Sequence, residues 1–324
     1  MQAGKPAQSQ RALIVTALPV EYKAAGAHLT NLHEVTHTQG TVYEIGTFTA
    51  EDGSVWSVCI AEIGAGNPVA AAETERAINY FRPHVVLFVG IAGGLKDVSI
   101  GDVVAATKIY GYESGKAGRE FLARPDSYRS SYDLQQRARV EAKRENWLAQ
   151  AGTATKRDFD VWSQPIASGE KVIASRRSAL CKFIRSQYSD AVAVEMEGLG
   201  FLVAAAANLE IRTLVIRGIS DLVDRKTQTD ALGSQRVAAE HASAFAFQVL
   251  SKLFSTRAGQ APEAAFVECP RAFVRDPQID SLIADVRFGE LKTSAKPALE
   301  ILRATDSLCD VGCRFLLGND ALQI

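Results

Sequence analysis

The sequence predicts an α/β fold of three layers, α/β/α, with a mixed central sheet. Three observations support this prediction. Short apolar runs recur along the chain, as at residues 12–15, 85–89 and 213–216, and such continuous hydrophobicity is typical of strands buried on both faces. Segments of helical composition alternate with these runs. With 47% hydrophobic residues in 324, the chain can also build a core of the necessary size.

The individual elements follow from apolar runs and from the turn and helix-starting residues that bound them. Strands are expected at residues 12–15, 41–48, 54–63, 85–89, 102–107, 165–168 and 213–216, and at the run that ends in Glu197. Helices are expected at residues 19–29, 69–81, 175–187, 198–208 and 230–254. Asn67 and Pro68 are residue types favoured at the N-cap and first turn of the second helix.

Residues 111–164 interrupt the alternation and are interpreted as an insertion near the mouth of the site. The segment is polar and carries many charges of both signs, and residues 134–151 could form a helix. Two interpretations remain open. The segment is either a solvated charged helix or an element that grips phosphate or covers the substrate, since arginine matches phosphate oxygens well. The arginines concerned are Arg119, Arg124, Arg129, Arg137, Arg139 and Arg144.

The predicted domains are a main domain at residues 11–254 and a C-terminal appendage at residues 266–324, joined by a soft linker. Four apolar residues of the appendage recur at helical spacing: Ile279, Leu282, Ile283 and Val286. We therefore expect a small helical appendage that serves in packing, oligomer contact or partner contact.

Composition sets limits on the partners of the chain. The formal net charge is −1, which gives no overall attraction to nucleic acid or to a membrane surface. The first ten residues are polar and lack the apolar segment of a signal peptide. No stretch approaches the ~18 apolar residues that a membrane helix needs. The cytoplasm is the expected location.

Cysteine and histidine usage indicates no metal site and no disulfide framework. The five cysteines are scattered and odd in number. Cys59 and Cys181 lie in apolar surroundings and are expected in the core. Cys309 and Cys313 have no second cysteine or histidine pair nearby, so zinc is not expected. The five histidines show no metal-ligand spacing.

Two acidic motifs stand where chemistry is expected. The first reads AVAVEMEG at residues 191–198, and the second reads LVIRGISDLVD at residues 214–224. Ligands of open α/β sheets bind just past the carboxyl ends of the strands. Glu195, Glu197 and Asp221 are therefore placed to accept hydrogen bonds from sugar hydroxyls or to deliver a proton to a ring nitrogen.

These motifs give the chain a specific resemblance. VEMEG followed by RGISDLVD resembles the purine nucleoside phosphorylase/uridine phosphorylase superfamily, and within it the methylthioadenosine/adenosylhomocysteine nucleosidases. Two further blocks agree: VLFVGIAGGLKDVSIGDVV at residues 86–104 and ALIVTALPVEYKAA at residues 12–25. Four blocks in the family's order imply a nucleoside phosphorylase-like fold and a homo-oligomer, a dimer or higher.

The resemblance also implies roles for the carboxylates. Asp221 matches the family's general acid, which protonates the departing base, and Ser220 would orient it. Burial helps a carboxyl group to keep a proton for delivery. Glu197 matches the glutamate that accepts hydrogen bonds from the ribose hydroxyls. The alternatives, an N-cap for Asp221 and a helix-start glutamate for Glu197, remain open.

Glu21 distinguishes two reactions. Phosphorylases of the superfamily bind phosphate in a turn after the first strand, with an arginine that this chain lacks. The nucleosidases carry a glutamate there that activates water, and Glu21 matches it. A carboxylate at this position would repel phosphate and can act as a general base. The alternative for Glu21 is an ordinary glutamate of a helix's first turn.

The remaining candidates would bind the substrate. Ala92 and Gly93 belong to a glycine-rich turn whose backbone amides can approach a ligand. Glu195 would hold water or orient a neighbour, and Met196 would pack against the sugar. A family phenylalanine that stacks on the base is replaced by Val172, so the base would be recognised by backbone groups near Val172 and Ile173. The family's serine in the glycine-rich turn is replaced by Ile91.

The sequence thus predicts a purine nucleosidase that hydrolyses the N-glycosidic bond of a purine nucleoside or nucleotide. The resemblance implies no metal or organic cofactor. Two alternatives are a phosphate-dependent phosphorylase and a module that senses nucleotides without turnover. The 5′ group of the substrate, a hydroxyl, a thioether or phosphates, stays open.

Overall fold

In the computed structural model, the described residues are 10–144, 159–208, 210–223 and 233–253. Their strands are β1 (Gln10–Thr16), β2 (Thr30–Thr36), β3 (Val42–Thr49), β4 (Val55–Glu62), β5 (Val85–Gly94), β6 (Val103–Ala105), β7 (Lys108–Gly111), β8 (Gly115–Ala117), β9 (Phe121–Ala123), β10 (Asp126–Arg129), β11 (Val161–Trp162), β12 (Ile166–Ser168), β13 (Ala193–Glu195) and β14 (Arg212–Asp221). Their helices are α1 (Pro19–Gly26), α2 (Asn67–Phe81), α3 (Tyr132–Glu141), α4 (Ala179–Gln187), α5 (Gly198–Ala206) and α6 (Ser234–Ser251). Residues 266–324, where the appendage is expected, lie outside the described residues.

A mixed sheet organises the described chain, as the sequence predicts. One path through it runs β10-β7-β12-β13-β5-β1-β4-β3-β2. Strand β5 is its centre, because it pairs in parallel with β1 and β14 and antiparallel with β13. The carboxyl ends of β5 and β14 therefore lie side by side, and β13 begins beside the carboxyl end of β5.

Helices cover both faces of the sheet. Alternate residues of a strand point to opposite faces, and β1 shows this directly. Ile14 packs in a core cluster with Phe245 of α6 and Leu134 of α3. Leu13 and Val15 pack in another cluster, which contains residues of α2 and α5. The three-layer α/β/α prediction is confirmed.

Two local predictions are wrong, one strand was not predicted, and one helix begins later than expected. The glycine-rich segment from Gly90 to Gly94 is not a turn, since β5 continues through it alongside β14. The N-cap of α2 is Gly66, and Asn67 lies inside the helix. Strand β2 was not predicted, because its residues are almost all exposed and carry no apolar alternation. Helix α4 begins at Ala179, four residues later than expected, where the Ser178 hydroxyl accepts a hydrogen bond from the Cys181 N–H at 3.1 Å.

The predicted insertion contains the β8–β9 hairpin, β10 and α3. Helix α3 packs against the sheet through the fully buried Leu134 and Ala138, so this segment is not simply a solvated charged helix. Its hairpin forms a small separate sheet. Cys59 and Cys181 are buried free thiols, as predicted.

Candidate active site

A cavity of about 270 Å³ opens at the carboxyl ends of the central strands. Strands β5, β13 and β14 and the start of α1 supply its walls. All ten residues that the sequence singled out line it: Glu21, Ala92, Gly93, Val172, Ile173, Glu195, Met196, Glu197, Ser220 and Asp221. The fold thus brings together residues that lie up to two hundred positions apart in the chain.

Glu21 is held at the cavity by backbone amides. Its Oε2 accepts hydrogen bonds from the N–H groups of Ala17 at 2.7 Å and Leu18 at 3.0 Å, and its Oε1 accepts one from Ile91 at 2.8 Å. The bonds to Oε2 are those of a glutamate in the first turn of a helix, so that alternative is correct as far as it goes. The same carboxylate lines the cavity. Among the described residues, Oε1 accepts one hydrogen bond, which leaves a second acceptor site on this oxygen.

Glu197 stands at the N-cap of α5 but does not cap it. The helix-start alternative therefore describes its position, although the side chain makes no capping hydrogen bond. Instead, Oε1 accepts a hydrogen bond from the Gly66 N–H at 3.1 Å. A carboxylate that leaves its own helix end uncapped and lines a cavity is available to a ligand.

Asp221 is fixed by its immediate neighbours. Its Oδ1 accepts a hydrogen bond from the Val223 N–H at 2.8 Å, and its Oδ2 lies 3.1 Å from the Ser220 hydroxyl. Val223 adopts a left-handed backbone with φ 65°, which is costly for a β-branched residue, roughly 1–3 kcal/mol. The surrounding packing maintains that strain, since Val223 is fully buried. Asp221 therefore keeps one orientation at the cavity wall.

Glu195 and Arg217 form a buried pair that the sequence analysis did not identify. Arg217 Nη2 donates a hydrogen bond to Glu195 Oε2 at 2.6 Å and lies 3.7 Å from Glu197 Oε2. Glu195 Oε2 also accepts the N–H groups of Glu197 at 3.1 Å and Gly198 at 2.7 Å. Glu195 thus orients its neighbours. The available signal was an arginine inside an apolar strand, since arginine is rarely fully buried unless paired.

The absence of a side chain at Gly90 leaves room for the Arg217 and Glu21 side chains beside the backbone of β5. A Cβ there would lie 2.2 Å from Arg217 Nη1 and 2.6 Å from Glu21 Oε1. No real Cβ atom has such neighbours. The guanidinium also stacks on Phe88, with Cζ 3.9 Å from the ring centroid. A glycine at position 90 therefore allows these two side chains to lie against the strand.

Burial and like charge shift the titration of this cluster. Burial raises the pKa of Glu197 to about 7, with the charge of Glu195 adding to the rise and Arg217 opposing it. Burial also raises the pKa of Glu21, against the charge of Arg217 and the three backbone N–H groups. Glu21 and Glu197 thus hold their protons more tightly than free carboxylates do.

The other wall is less enclosed. Val172 is 59% exposed, whereas Ile173 is buried. Just before them, Glu170 Oε1 accepts hydrogen bonds from the backbone N–H and the side-chain amide of Asn67, at 3.2 and 2.8 Å. The Asn67 Oδ1 accepts the Gly200 N–H at 2.8 Å. These contacts explain why Asn67 does not cap α2.

The arginines of the insertion lie away from this cavity. None of the described residues from Arg119 to Arg144 lines it. Arg137 and Arg144 pair with the buried Glu141, and Arg129 lines a separate groove beside α5. Their positions in the described chain favour structural roles over a grip on phosphate at the cavity.

No group of three or more potential metal ligands occurs within residues 10–144, 159–208, 210–223 and 233–253. Across the same residues, no helix has the length and hydropathy to cross a membrane.

A sequence model of the phosphorylase superfamily matches residues 11–255. The chain belongs to this superfamily. The resemblance in the four sequence blocks is thereby confirmed. As a superfamily member, the chain also shares the fold of solved nucleosidases. A 5′-methylthioadenosine/S-adenosylhomocysteine nucleosidase from Colwellia psychrerythraea, solved with adenine, superposes with a TM-score of 0.63 at 23% identity. The match covers 75% of this chain and 95% of that one.

Curated superfamily relatives are also nucleosidases by name. The ATP nucleosidase Cap17 of Escherichia coli (strain KTE188) is 32% identical over 246 residues, which cover 68% of this chain and 48% of that protein. This chain therefore spans about half the length of that relative. A 5′-methylthioadenosine/S-adenosylhomocysteine nucleosidase of Haemophilus ducreyi is 26% identical over 226 residues, covering 66% of this chain and 89% of that protein.

Proposed function

We propose that this superfamily member hydrolyses the N-glycosidic bond of a purine nucleoside or nucleotide and releases the free base. The observation that carries the proposal is the meeting of Glu21, Glu197 and Asp221 in one cavity at the ends of the central strands. Each of the three carboxylates suits one part of the reaction. The names of the curated relatives support the same reaction class.

Asp221 is proposed as the general acid. The base departs with the electrons of the bond to C1′, and a purine leaves far more easily when a ring nitrogen is protonated. Asp221 Oδ2 supplies that proton, while the Val223 N–H holds Oδ1. Ser220, 3.1 Å from Oδ2, keeps this oxygen in place.

Glu197 is proposed to bind the ribose. An ionised carboxylate has acceptors for two hydroxyl donors, and its charge stabilises the positive charge that develops on the sugar. In the described part of the chain, its Oε1 accepts one hydrogen bond, from the Gly66 N–H. Met196 lines the cavity next to it and is proposed to pack against the sugar.

Glu21 is proposed as the general base. Water attacks C1′ and gives a proton to the free acceptor site of Oε1, which balances the proton delivered by Asp221. Burial raises the pKa of Glu21, whereas the charge of Arg217 and the three backbone N–H bonds favour the ionised form that this role requires. The base would be recognised by backbone groups near Ala92, Gly93, Val172 and Ile173.

Glu21 also disfavours the phosphorylase alternative. Phosphate would have to approach a buried carboxylate at the position where a phosphate ligand is needed, and like charges in a low-dielectric site repel strongly. A sensor without turnover is disfavoured because all three candidate catalytic carboxylates are present and line the cavity.

Two variants test the assignment against a matched control. Glu21→Gln and Asp221→Asn keep shape and polarity but cannot exchange a proton, so each should lower kcat by ~10²–10⁴-fold. Glu34→Gln, an exposed residue of β2, should leave kcat unchanged. Release of adenine from adenosine, AMP, ATP and methylthioadenosine is followed by chromatography. Near-full activity of Asp221→Asn would remove the acid from the mechanism.

Three further features complete the proposal: the extent of the catalytic domain, the location of the protein and its oligomeric state. We propose that residues 11–254 form the catalytic domain, that the protein acts in the cytoplasm, and that it works as a homo-oligomer, a dimer or higher. Val69 and Val203, on the packed helices α2 and α5, leave apolar surface exposed that would suit contact with another copy. Sedimentation velocity would measure the oligomeric state.

A further inference from the structure

Helix α5 begins, as every α-helix does, with four backbone N–H groups that have no acceptor within the helix. These donors belong to Glu197, Gly198, Leu199 and Gly200, and the first bond within the helix runs from the Phe201 N–H to the Glu197 carbonyl at 3.0 Å. Glu197 is the N-cap residue, and an N-cap side chain ordinarily accepts one of these donors. The Glu197 side chain makes no such bond. The four donors therefore depend on acceptors from other residues.

Three side chains other than that of Glu197 supply these acceptors. Glu195 Oε2 accepts the first two N–H groups, at 3.1 and 2.7 Å. The Ser168 hydroxyl, at the end of β12, accepts the third at 3.4 Å. Asn67 Oδ1, at the start of α2, accepts the fourth, from Gly200, at 2.8 Å. Helix α5 is thus capped without the use of the Glu197 carboxylate.

Asn67 is held in the position from which it caps α5. Its side-chain amide donates a hydrogen bond to Glu170 Oε1 at 2.8 Å, and its Oδ1 also accepts the Ser168 hydroxyl at 3.1 Å. A Cβ added at Gly200 would lie 2.0 Å from the Asn67 carbonyl oxygen, so the backbones of α2 and α5 touch here. Asn67 is buried, and its side chain therefore keeps one orientation between the two helices.

The residue before Asn67 binds the carboxylate that the capping leaves available. The Gly66 N–H donates a hydrogen bond to Glu197 Oε1 at 3.1 Å. The start of α2 therefore acts twice on the same region. The Asn67 side chain takes the helix donor, and the preceding peptide holds Glu197 at the cavity.

We propose that Asn67 is a positioning residue for Glu197: it caps α5 in place of Glu197 and so keeps that carboxylate available to the ribose hydroxyls. This inference rests on the proposed function, in which Glu197 binds ribose. Without the Asn67 amide, the Gly200 N–H would be buried without an acceptor, which is unfavourable. The Glu197 carboxylate would then accept this N–H, as N-cap side chains do, and would turn away from the ribose.

The test compares adenosine with 2′,3′-dideoxyadenosine, which lacks the hydroxyls that Glu197 is proposed to bind. The ratio of kcat/KM for adenosine to that for the dideoxy compound cancels any loss that both substrates share. Asn67→Leu removes the amide and should lower this ratio about tenfold, as expected for the loss of a hydrogen bond to a charged group. Asn79→Leu, the same change at an exposed residue of α2, is the matched control and should leave the ratio unchanged.

A double-variant cycle with Glu197→Gln shows whether Asn67 acts through Glu197. If it does, Asn67→Leu lowers kcat/KM for adenosine in the unmodified protein but adds little to the loss in Glu197→Gln. If Asn67 only supports the packing of α2 on α5, Asn67→Leu lowers kcat/KM by the same factor in both backgrounds and for both substrates.

Two further variants separate the hydrogen bonds of Asn67 from its volume. Asn67→Asp combined with Glu170→Gln keeps an acceptor for the Gly200 N–H and a donor between the two exchanged side chains, so most of the original ratio should be retained. Ser168→Ala removes a smaller part of the same network and should lower the ratio in the same direction. Ser168→Ala decides the question if Asn67→Leu does not fold.

The outcomes distinguish this inference from the proposed function. Release of adenine with an unchanged substrate ratio in folded Asn67→Leu overturns the role of Asn67 and leaves the hydrolase assignment intact. An equal loss in the Glu197→Gln background does the same. If neither compound releases base, the proposed function fails. Equilibrium binding of the two compounds to the unmodified protein and to Asn67→Leu then decides the role of Asn67 alone.

Discussion

Arg217 Nη2 lies 2.6 Å from Glu195 Oε2, with side-chain exposures of 0% and 1%, and this pair is the electrostatic centre of the site. Glu195 in turn accepts the backbone N–H of Glu197. The pair thereby connects β14 to the residue proposed to bind ribose. A buried charge without its partner is costly, so the loss of either residue should destabilise the folded protein.

Removing one partner of this pair should therefore cost more than removing both charges. We expect Arg217→Met to lower the free energy of unfolding by ~3–5 kcal/mol, because Glu195 is left buried and unpaired. The double variant Glu195→Gln/Arg217→Met should recover much of this loss, since the amide oxygen still accepts both backbone N–H groups. Urea titrations of the single and double variants measure the coupling. A loss in the double variant equal to the sum of the two single losses would show that the pair carries no coupling.

Activity should rise with pH through the titration of Glu197. Its pKa of about 7 leaves it protonated below neutrality and ionised above, and ribose binding requires the ionised form. The kcat/KM should therefore increase as pH rises through about 7. In Glu195→Gln one negative charge next to Glu197 is removed, so the midpoint should move to lower pH. If Glu195→Gln leaves the pH profile of kcat/KM unchanged, the rise in activity with pH is not due to ionisation of Glu197.

The same shift predicts how stability depends on pH. The folded protein holds the Glu197 proton more tightly than the unfolded chain, whose carboxyl titrates near 4.5. The unfolded state therefore loses this proton first as pH rises, and the contribution of this group to the free energy of unfolding falls between about 4.5 and about 7. The free energy of unfolding of Glu197→Gln, followed by thermal unfolding at several pH values, should lack this decrease.

Gly90 should tolerate no side chain. A Cβ added at residue 90 would overlap Arg217 Nη1 and Glu21 Oε1. Gly90→Ala should therefore lower the free energy of unfolding by ~1–3 kcal/mol and displace Glu21, the proposed general base. Gly26→Ala is the matched control, because its Cβ would have its nearest neighbour at 3.9 Å, the Ile60 Cδ1. Urea titration and adenine release are measured on both. Full activity of Gly90→Ala would show that the approach of Arg217 and Glu21 is not required.

The sequence predicted the parts of the fold that depend on local pattern. The buried strands β1 and β14 are continuous apolar runs, and Pro19 marks the start of α1 as expected. Strand β2 escaped prediction because it is held by pairing with β3 and not by burial. Pairing between distant segments has no local signal.

The sequence predicted those residues of the site that belong to recognisable motifs. Glu21, Glu197 and Asp221 follow from the family resemblance, and the structure places them on one cavity. The contacts of Arg217 depend on Gly90 and Phe88, on a neighbouring strand, so no motif reveals them. The role of the insertion's arginines stayed open for a related reason, since composition does not show which surface a charged side chain faces.

The most direct test of the account asks which nucleophile attacks C1′. Purified protein is incubated with adenosine or AMP in buffer without phosphate and in buffer with phosphate, and the sugar product is identified by ³¹P and ¹³C NMR. The account predicts equal rates of adenine release in both buffers, with ribose or ribose 5-phosphate as the product. Adenine release only in the presence of phosphate, with a phosphate group on C1′ of the product, would contradict it.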